Sequence, residues 1–269
     1  MTRTIGTPTW LDLNCPNLEA TKDFYTKLFG WTFEDSGASW NHYNMVSNAD
    51  GSLVGGAMDT TEMTSPDGAP LPSAWDVFLT VEDIDARLDK AVELGATVLL
   101  PATDTGDAGR HALITDSLGA TVGLWQPADL AGYEFTGEQG SPVWFEMLAT
   151  DYDQAVTFYR EVFDFEIVPM MDGPEAEFRY ATHGAGDSSV CGIQELVEEG
   201  VSSHWRVFFG VDDSAAANAK VTESGGSLVD GPYDSPFGRI TVITDPSGAK
   251  LQLVSMAEAV EEVMPGQVS

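Results

Sequence analysis

Two indole–carboxylate pairs are the residues of this chain best suited to bind or transform an organic molecule. Trp10 and Asp12 lie two residues apart, and Trp144 and Glu146 repeat this pair in the second half of the chain. Side chains two apart on a β-strand share one face. An indole can stack on a ligand, and a carboxylate can orient a polar group or move a proton. The alternative is that the tryptophans fill the core and the carboxylates are paired or hydrated.

A single arginine adds a positive charge to the second half. Arg206 shares a strand face with His204 and Phe208, and it could either pair with Glu146 or hold a substrate carboxylate or enolate. We favour the ion pair, because an arginine among aromatic residues usually finds an acid nearby. His204 has the default interpretation of a surface histidine at the mouth of the strand. Asp76 occupies the place of Arg206 in the first half, so the two halves are not expected to do the same job.

One histidine is a candidate general base in the first half. His42 is predicted to lie on a middle strand, where the matching position of the second half is an arginine and only Tyr43 and Tyr180 correspond. Most isolated histidines of this kind are bystanders. The candidate catalytic residues are therefore Glu146, Asp12 and His42.

The elements that must position these side chains repeat four times along the chain. A strand, a helix and three further strands are predicted from Trp10, and the same order restarts at Trp75, Val143 and Trp205. The spacing between matching residues drifts by only a few positions, which indicates a duplicated domain. We predict an α+β fold of four βαβββ units with curled mixed sheets. The two domains are predicted to span residues 1–130 and 136–258, with a C-terminal tail over 259–269.

Composition excludes several classes of function. The chain of 269 residues has a formal net charge of −31, which argues against nucleic acid or an anionic membrane as a partner. The N-terminal segment lacks the apolar core of a signal peptide, and Cys15 and Cys191 do not correspond between the halves. We therefore expect a reduced, cytoplasmic protein whose partner is a small organic metabolite. Monomer and homodimer remain open.

The repeated motifs resemble the vicinal oxygen chelate superfamily, which includes glyoxalase I, bleomycin-resistance proteins and extradiol dioxygenases. The segments that carry the resemblance are FYTKLFGW (24–31), FYREVFDF (158–165), VEDIDA (81–86), VDDSAA (211–216), DSLGA (116–120) and DPSGA (245–249). The match covers nearly the whole chain and is most similar to tandem, two-domain glyoxalase-like proteins of actinobacteria. It implies two bowl-shaped sheets, each with a ligand site.

The resemblance also implies a divalent metal, but the positions of its usual ligands are altered. They hold Trp10, Asp76 and Gly123 in the first half and Trp144, Arg206 and Gln252 in the second half. A divalent metal needs several histidine or carboxylate ligands at about 2 Å. We therefore favour the absence of a metal and expect no other cofactor, although a divalent metal held by unusual ligands such as Asp12, Asp76, Glu146 and Gln252 stays open. Classical glyoxalase I or extradiol dioxygenase activity is not expected.

Three functions remain open at this point. The first is a glyoxalase-like module that sequesters or senses a small molecule. The second is a lyase, isomerase or hydroxylase that is metal-independent or uses unusual metal ligands, and the third is an interaction surface over vestigial cavities. We favour the binding module. The predicted ligand-binding residues are Trp10, Asp12, Asp76, Trp144, Glu146, His204, Arg206 and Gln252.

Overall fold

The computed structural model describes residues 4–64, 68–133, 137–174 and 176–260. The helices are α1 (Leu18–Phe29), α2 (Ile84–Glu93), α3 (Tyr152–Phe163) and α4 (Ser214–Glu223). Within the described ranges, no helix is long and apolar enough to cross a membrane. Most of the predicted C-terminal tail, residues 261–269, lies outside those ranges.

Each half of the chain contributes eight strands. Those of the first half are β1 (Pro8–Cys15), β2 (Thr32–Asp35), β3 (Asn44–Ser47), β4 (Leu53–Asp59), β5 (Ala74–Thr80), β6 (Thr97–Asp104), β7 (Gly109–Thr115) and β8 (Thr121–Pro127). Those of the second half are β9 (Pro142–Ala149), β10 (Ile167–Met171), β11 (Tyr180–His183), β12 (Cys191–Glu195), β13 (His204–Gly210), β14 (Ser227–Ser235), β15 (Gly238–Thr244) and β16 (Lys250–Ser255).

The strands form two mixed sheets with the same topology. The first sheet has the order β2-β3-β4-β1-β5-β8-β7-β6, and the second has the order β10-β11-β12-β9-β13-β16-β15-β14. The pairs β5–β8, β12–β9 and β13–β16 are parallel, whereas hairpin pairs such as β7–β8 and β15–β16 are antiparallel. This confirms the predicted α+β class and the fourfold repeat. The domain boundaries themselves stay a prediction.

The four helices begin in the same way. A short polar side chain at the N-cap accepts a hydrogen bond from the backbone N–H three residues further on, and these caps are Asn17, Asp83, Asp151 and Asp213. Such a bond satisfies one of the donors that a helix leaves unpaired at its start. The first helix ends at Gly30, whose φ of 79° is a left-handed conformation that favours glycine.

Backbone proximity groups the chain into two compact units, each drawn from both halves of the sequence. One unit comprises Met1–Asp12, Asp76–Tyr133 and Trp144–Val207. The other comprises Leu13–Trp75, Glu134–Val143 and Phe208–Ser269.

A buried tyrosine lies at the centre of the first unit. The hydroxyl of Tyr159 donates to Asp116 Oδ2 at 2.9 Å and accepts from the indole Nε1 of Trp205 at 2.8 Å. Asp116 also accepts backbone N–H bonds from Leu118 and Ala120. The same carboxylate therefore closes the turn between β7 and β8 and connects it to α3.

The second unit repeats this arrangement with longer bonds. Tyr25 donates to Asp245 Oδ2 at 3.4 Å and accepts from Trp75 Nε1 at 3.2 Å. Asp245 accepts the backbone N–H groups of Ser247 and Ala249. The D-x-x-G-A turns of the sequence are thus structural, and each connects a hairpin to a helix of the other half.

Candidate functional site

The second sheet carries its polar cluster on the face opposite the helices. On β13, Trp205 points towards α3, where it contacts Tyr159, so the neighbouring Arg206 points to the other face. On β9, Glu146 has Gly192 of β12 as its register partner. We call this side of the strands the helix-free face.

Glu146 is the centre of this cluster, and both of its carboxylate oxygens are hydrogen-bonded. Oε1 accepts from the Tyr180 hydroxyl at 2.9 Å and from Trp144 Nε1 at 3.1 Å. Oε2 accepts from Arg206 Nε at 2.7 Å and also from the terminal nitrogen Nη2. The same Nη2 donates to Gln194 Oε1 at 3.0 Å. These five residues, Trp144, Glu146, Tyr180, Gln194 and Arg206, form what we call the second-sheet network.

The Glu146–Arg206 ion pair that the sequence favours is therefore present. A carboxylate that receives two donors from one guanidinium is a strong, directional arrangement. The Glu146 side chain is 10% exposed and that of Arg206 is 24% exposed, so the pair is largely but not completely shielded from water. Trp144, Tyr180 and Gln194 are half-buried.

A glycine makes room for the tyrosine of this network. A Cβ atom on Gly192 would lie 2.3 Å from the Tyr180 hydroxyl oxygen, so the phenol ring can cross β12 only because residue 192 has no side chain. Burial, reinforced by the Glu146 carboxylate, raises the pKa of Tyr180. The phenol therefore keeps its proton and donates a hydrogen bond to Glu146. Sequence comparison of the halves noted Tyr43 and Tyr180 but missed this role.

Two predicted ligand-binding residues of the second half of the chain lie outside the network. His204 begins β13, and its imidazole Nδ1 is hydrogen-bonded to the carbonyl oxygen of Ser202 at 2.8 Å. Gln252 belongs to the other compact unit, where it is the register partner of Phe208. Its side chain is buried, and its Oε1 has no hydrogen-bond partner.

The first sheet carries the matching face, built from different chemistry. Trp10 Nε1 donates to Asp12 Oδ1 at 2.9 Å, as Trp144 does to Glu146. The Trp10 indole stacks on that of Trp125, with ring centroids 6.4 Å apart. Both tryptophans are buried.

A phenylalanine occupies the space beside Gly123, one of the altered ligand positions of the first half. Phe78 of β5 is the register partner of Gly123 of β8, and a Cβ on Gly123 would lie 2.0 Å from a ring carbon of Phe78. Asp76 is buried two residues before Phe78 on the same strand face. Aromatic and acidic side chains thus line this part of the sheet.

On this face of β7 lies His111, whereas His42 does not lie on the predicted middle strand, and its candidacy as a general base stays a prediction. His42 lies in a turn before β3, with a φ of 56°, and its exposed side chain pairs with Asp35. His111 of β7 packs against Phe78, with ring centroids 6.4 Å apart. Burial lowers the pKa of His111, and the Asp12 carboxylate partly opposes this effect. The sequence offered one signal for His111. On a strand over residues 109–115, His111 lies on the opposite face from the buried Ala112.

Comparison with known proteins agrees with this architecture. The model of the Glyoxalase/Bleomycin resistance protein/Dioxygenase superfamily matches residues 7–124 and 141–253. The fold of two equivalent mixed sheets defines a tandem member of this class, and the chain belongs to that superfamily.

Relatives of similar length are known. "Putative glyoxylase CFP32" of Mycobacterium tuberculosis is 37% identical over 94% of this chain and 95% of its own length. "Anthracycline biosynthesis protein DnrV" of Streptomyces peucetius is 34% identical over 94% of each chain.

Two solved structures share the fold at low sequence identity. The Mn(II)-bound glyoxalase from Novosphingobium aromaticivorans has a TM-score of 0.61 at 15% identity and covers 96% of this chain and 84% of its own. Homoprotocatechuate 2,3-dioxygenase from Brevibacterium fuscum, in complex with 3,4-dihydroxyphenylacetate, has a TM-score of 0.63 at 14% identity, covering 99% and 85%.

The residues present do not fit the divalent metal that this superfamily implies. Both oxygens of Glu146 accept hydrogen bonds, and Arg206 supplies a positive charge beside them. At an effective dielectric near 20, a unit charge about 4 Å from a dication costs roughly 8 kcal/mol, twice the unit-charge value. In the first sheet, the Phe78 ring occupies the space of a side chain at position 123. Among the described residues, no three His, Cys, Asp or Glu side chains form a group that could hold a metal.

Proposed function

We propose that this protein binds a small, planar organic molecule on the helix-free face of the second sheet, without a divalent metal. The observation that carries the proposal is the second-sheet network. It places an indole, a phenol, an amide and a guanidinium around one carboxylate on a half-buried face. The protein would act as a sequestering or sensing module for this molecule.

The chemistry of the network favours an uncharged polar ligand. Glu146 and Arg206 neutralise each other, so the net charge of the network is zero. Trp144 supplies an aromatic surface, and the remaining groups supply hydrogen-bond donors and acceptors. A fused-ring phenol or quinone satisfies both requirements. The relative named for anthracycline biosynthesis supports the same class of ligand.

A fluorescence titration with 1,4-dihydroxyanthraquinone tests this proposal. In protein treated with EDTA, we expect saturable quenching of tryptophan emission with one molecule bound at the second sheet. Trp144→Phe and Gln194→Ala should each weaken binding by about tenfold or more, which corresponds to about 1.4 kcal/mol. Trp10→Phe, the matched change in the first sheet, should leave binding unchanged.

Three outcomes would contradict the proposal. Absence of saturable binding would contradict the proposed binding function. Equal loss of affinity in Trp10→Phe and Trp144→Phe would contradict the placement of the site on the second sheet. Binding that requires added Mn(II) would contradict its metal-free character. Circular dichroism of each variant separates loss of binding from loss of fold.

A second candidate function is a metal-independent isomerase or lyase. The observation that favours it is the partly exposed Arg206 beside the Glu146 carboxylate and the Tyr180 phenol. A guanidinium can stabilise an enolate while nearby acidic and basic groups move a proton. Exchange of the α-hydrogen of a bound ketone with D₂O, observed by NMR, would support this function. Exchange at the uncatalysed rate would contradict it.

A further inference from the structure

One of the four histidines of the chain holds the segment that precedes β1. The imidazole of His183, at the end of β11, is buried and stacks on the ring of Phe165, with centroids 4.4 Å apart and planes 9° from parallel. Its Nε2 is hydrogen-bonded to the carbonyl oxygen of Ile5 at 3.1 Å, and its Nδ1 to the backbone N–H of Glu166 at 3.0 Å. All four residues belong to the first compact unit. We call these two bonds the histidine contact.

The two bonds determine where the imidazole carries its hydrogen. A backbone N–H can only donate, so Nδ1 of His183 must be an unprotonated acceptor. A carbonyl oxygen can only accept, so Nε2 must carry the hydrogen. A second ring proton would place an N–H on Nδ1 against the N–H of Glu166. That change removes one bond and leaves a buried donor without an acceptor.

A glycine beside the imidazole connects the histidine contact to β5. A Cβ on Gly6, whose φ is 78°, would lie 2.9 Å from His183 Nε2 and 2.5 Å from the carbonyl oxygen of Phe163, so only glycine fits here. The N–H of Gly6 donates to the carbonyl of Thr80, and the N–H of Thr80 donates to the carbonyl of Thr7, both at 2.9 Å. The histidine contact therefore anchors a segment that also pairs with β5.

The second compact unit makes the same connection with a side chain that does not titrate. Asn48 Nδ2 donates to the carbonyl oxygen of Gln139 at 2.8 Å, and the following Gly140 has the same φ of 78° as Gly6. Gln139 and Gly140 are the repeats of Ile5 and Gly6 in the second half of the chain. We call this bond the asparagine contact. Duplication thus supplies an internal control for the histidine contact.

The titratable residues on the described segments beside His183 are three exposed carboxylates and one buried thiol. The carboxylates are those of Asp164, Glu166 and Asp187, and the thiol is that of Cys191, the register partner of His183 on β12. Burial raises the pKa of the Cys191 thiol, so it stays uncharged. The carboxylates attract a charged imidazole, but water and salt screen them. The buried hydrogen bonds therefore select the neutral ring.

We propose that the histidine contact is a pH-sensitive device, which releases the segment before β1 from β11 when the imidazole of His183 gains its second proton. Histidine in an unfolded chain has a pKa of about 6.5. The contribution of the histidine contact is therefore complete above that pH. It is lost as the pH falls below that value, because the released segment binds a proton that the closed contact excludes. This inference goes beyond the proposed function, since none of its residues belongs to the second-sheet network.

Hydrogen–deuterium exchange of the whole chain, read by mass spectrometry, measures the release. Peptides over residues 4–12 and 163–170 report on the histidine contact, and a peptide over residues 137–143 reports on the asparagine contact. From about pH 7.5 to about pH 5.0, corrected for intrinsic exchange, protection of the histidine contact should fall about ten- to thirtyfold. About thirtyfold is the limit for a proton that only the released form binds. Protection of the asparagine contact should change by less than about twofold.

His183→Gln is the matched variant, because an amide can donate to the Ile5 carbonyl as Asn48 donates to Gln139, but it does not titrate. Protection over residues 4–12 in this variant should differ by less than about twofold between the two pH values. His42→Gln, which changes an exposed imidazole, should keep the pH dependence of the unaltered chain.

Nitrogen-15 NMR of the histidine rings tests the contact without any substitution. We expect His183 to be the neutral Nε2–H tautomer at about pH 7.5, since both of its hydrogen bonds require that form. This measurement remains decisive if His183→Gln does not fold.

The proposal fails if His183 carries its hydrogen on Nδ1 at that pH, or if acid lowers the protection of both contacts equally. It also fails if a folded His183→Gln keeps the pH dependence of the unaltered chain. None of these measurements uses 1,4-dihydroxyanthraquinone, so their failure leaves the proposed function unchanged. Failure of that titration leaves this inference unchanged.

Discussion

Glu146 shows how the second sheet keeps a carboxylate in a largely shielded place. Four hydrogen bonds reach its two oxygens, and Arg206 balances its charge. Each partner is therefore needed because its removal would leave the other groups of the network without their hydrogen-bond or charge partner. A buried ion pair adds little by itself, but removal of one partner leaves an uncompensated charge.

Replacement of the guanidinium should destabilise the protein more than replacement of both charged residues. Arg206→Met should lower the free energy of unfolding by about 2–3 kcal/mol, because Glu146 loses its counter-charge. Arg206→Met combined with Glu146→Gln should recover at least half of that loss. Urea unfolding of the single and double variants measures the coupling. Additive losses would show that the pair is not coupled.

The glycine under Tyr180 gives a second prediction. Gly192→Ala should displace the phenol ring, lower stability by about 1–3 kcal/mol and weaken binding of 1,4-dihydroxyanthraquinone. A second change, Tyr180→Leu, should recover stability because it removes the clash, but it should not recover binding. Unchanged stability in Gly192→Ala would mean that the ring does not need the space.

At the level of elements, the two buried tyrosines connect a hairpin turn to a helix in each unit. Tyr159 makes the shorter bonds, at 2.9 and 2.8 Å, and Tyr25 the longer ones, at 3.4 and 3.2 Å. Asp116 and Asp245 receive these hydroxyls, and their burial raises the pKa of both carboxyl groups. The two copies allow a comparison within one molecule.

Removal of each hydroxyl should show that the tyrosine with the shorter hydrogen bonds contributes more to the free energy of unfolding. Tyr159→Phe leaves the Asp116 carboxyl and the Trp205 indole N–H without this partner, and we expect a loss of about 1–3 kcal/mol. Tyr25→Phe should cost less. Chemical denaturation of both variants checks the order, and a larger loss for Tyr25→Phe would contradict it.

The raised pKa of Asp116 predicts how stability depends on pH. Above its ordinary value of 3.8, the folded form holds the proton longer than the unfolded form. Stability should therefore fall as pH rises from 3.8 through the folded pKa. Asp116→Asn should flatten this part of the curve, whereas Asp153→Asn on the exposed start of α3 should not. A steeper fall in Asp116→Asn would contradict this assignment.

The sequence predicted the elements well, because each depends on local signals. Strands follow from the alternation of their own residues. Helix starts and ends follow from nearby cap residues such as Gly30. The ion pair was also predictable, since parity places Arg206 and Glu146 on strand faces of one sheet. The error at His42 has a local cause, because its positive φ places it in a turn that strand-like neighbours concealed. The roles of Gln194 and Gly192 required knowledge of strand register, which sequence periodicity does not supply.

At the scale of the whole molecule, duplication has produced two faces with one framework and different charges. The first combines Asp12 with Asp76, and the second combines Glu146 with Arg206. We propose that neither set binds a divalent metal, although a glyoxalase that shares the fold is Mn(II)-bound. The assignment of a cytoplasmic location and the oligomeric state stay predictions.

A crystal structure of metal-stripped protein with 1,4-dihydroxyanthraquinone, combined with anomalous diffraction after incubation with Mn(II), would show whether the second sheet binds a planar ring or a metal. We expect ring density against Trp144, with the ligand oxygens hydrogen-bonded to the second-sheet network, and no anomalous peak at Glu146. An ordered Mn(II) ion coordinated by the Glu146 carboxylate, with Arg206 displaced, would contradict it.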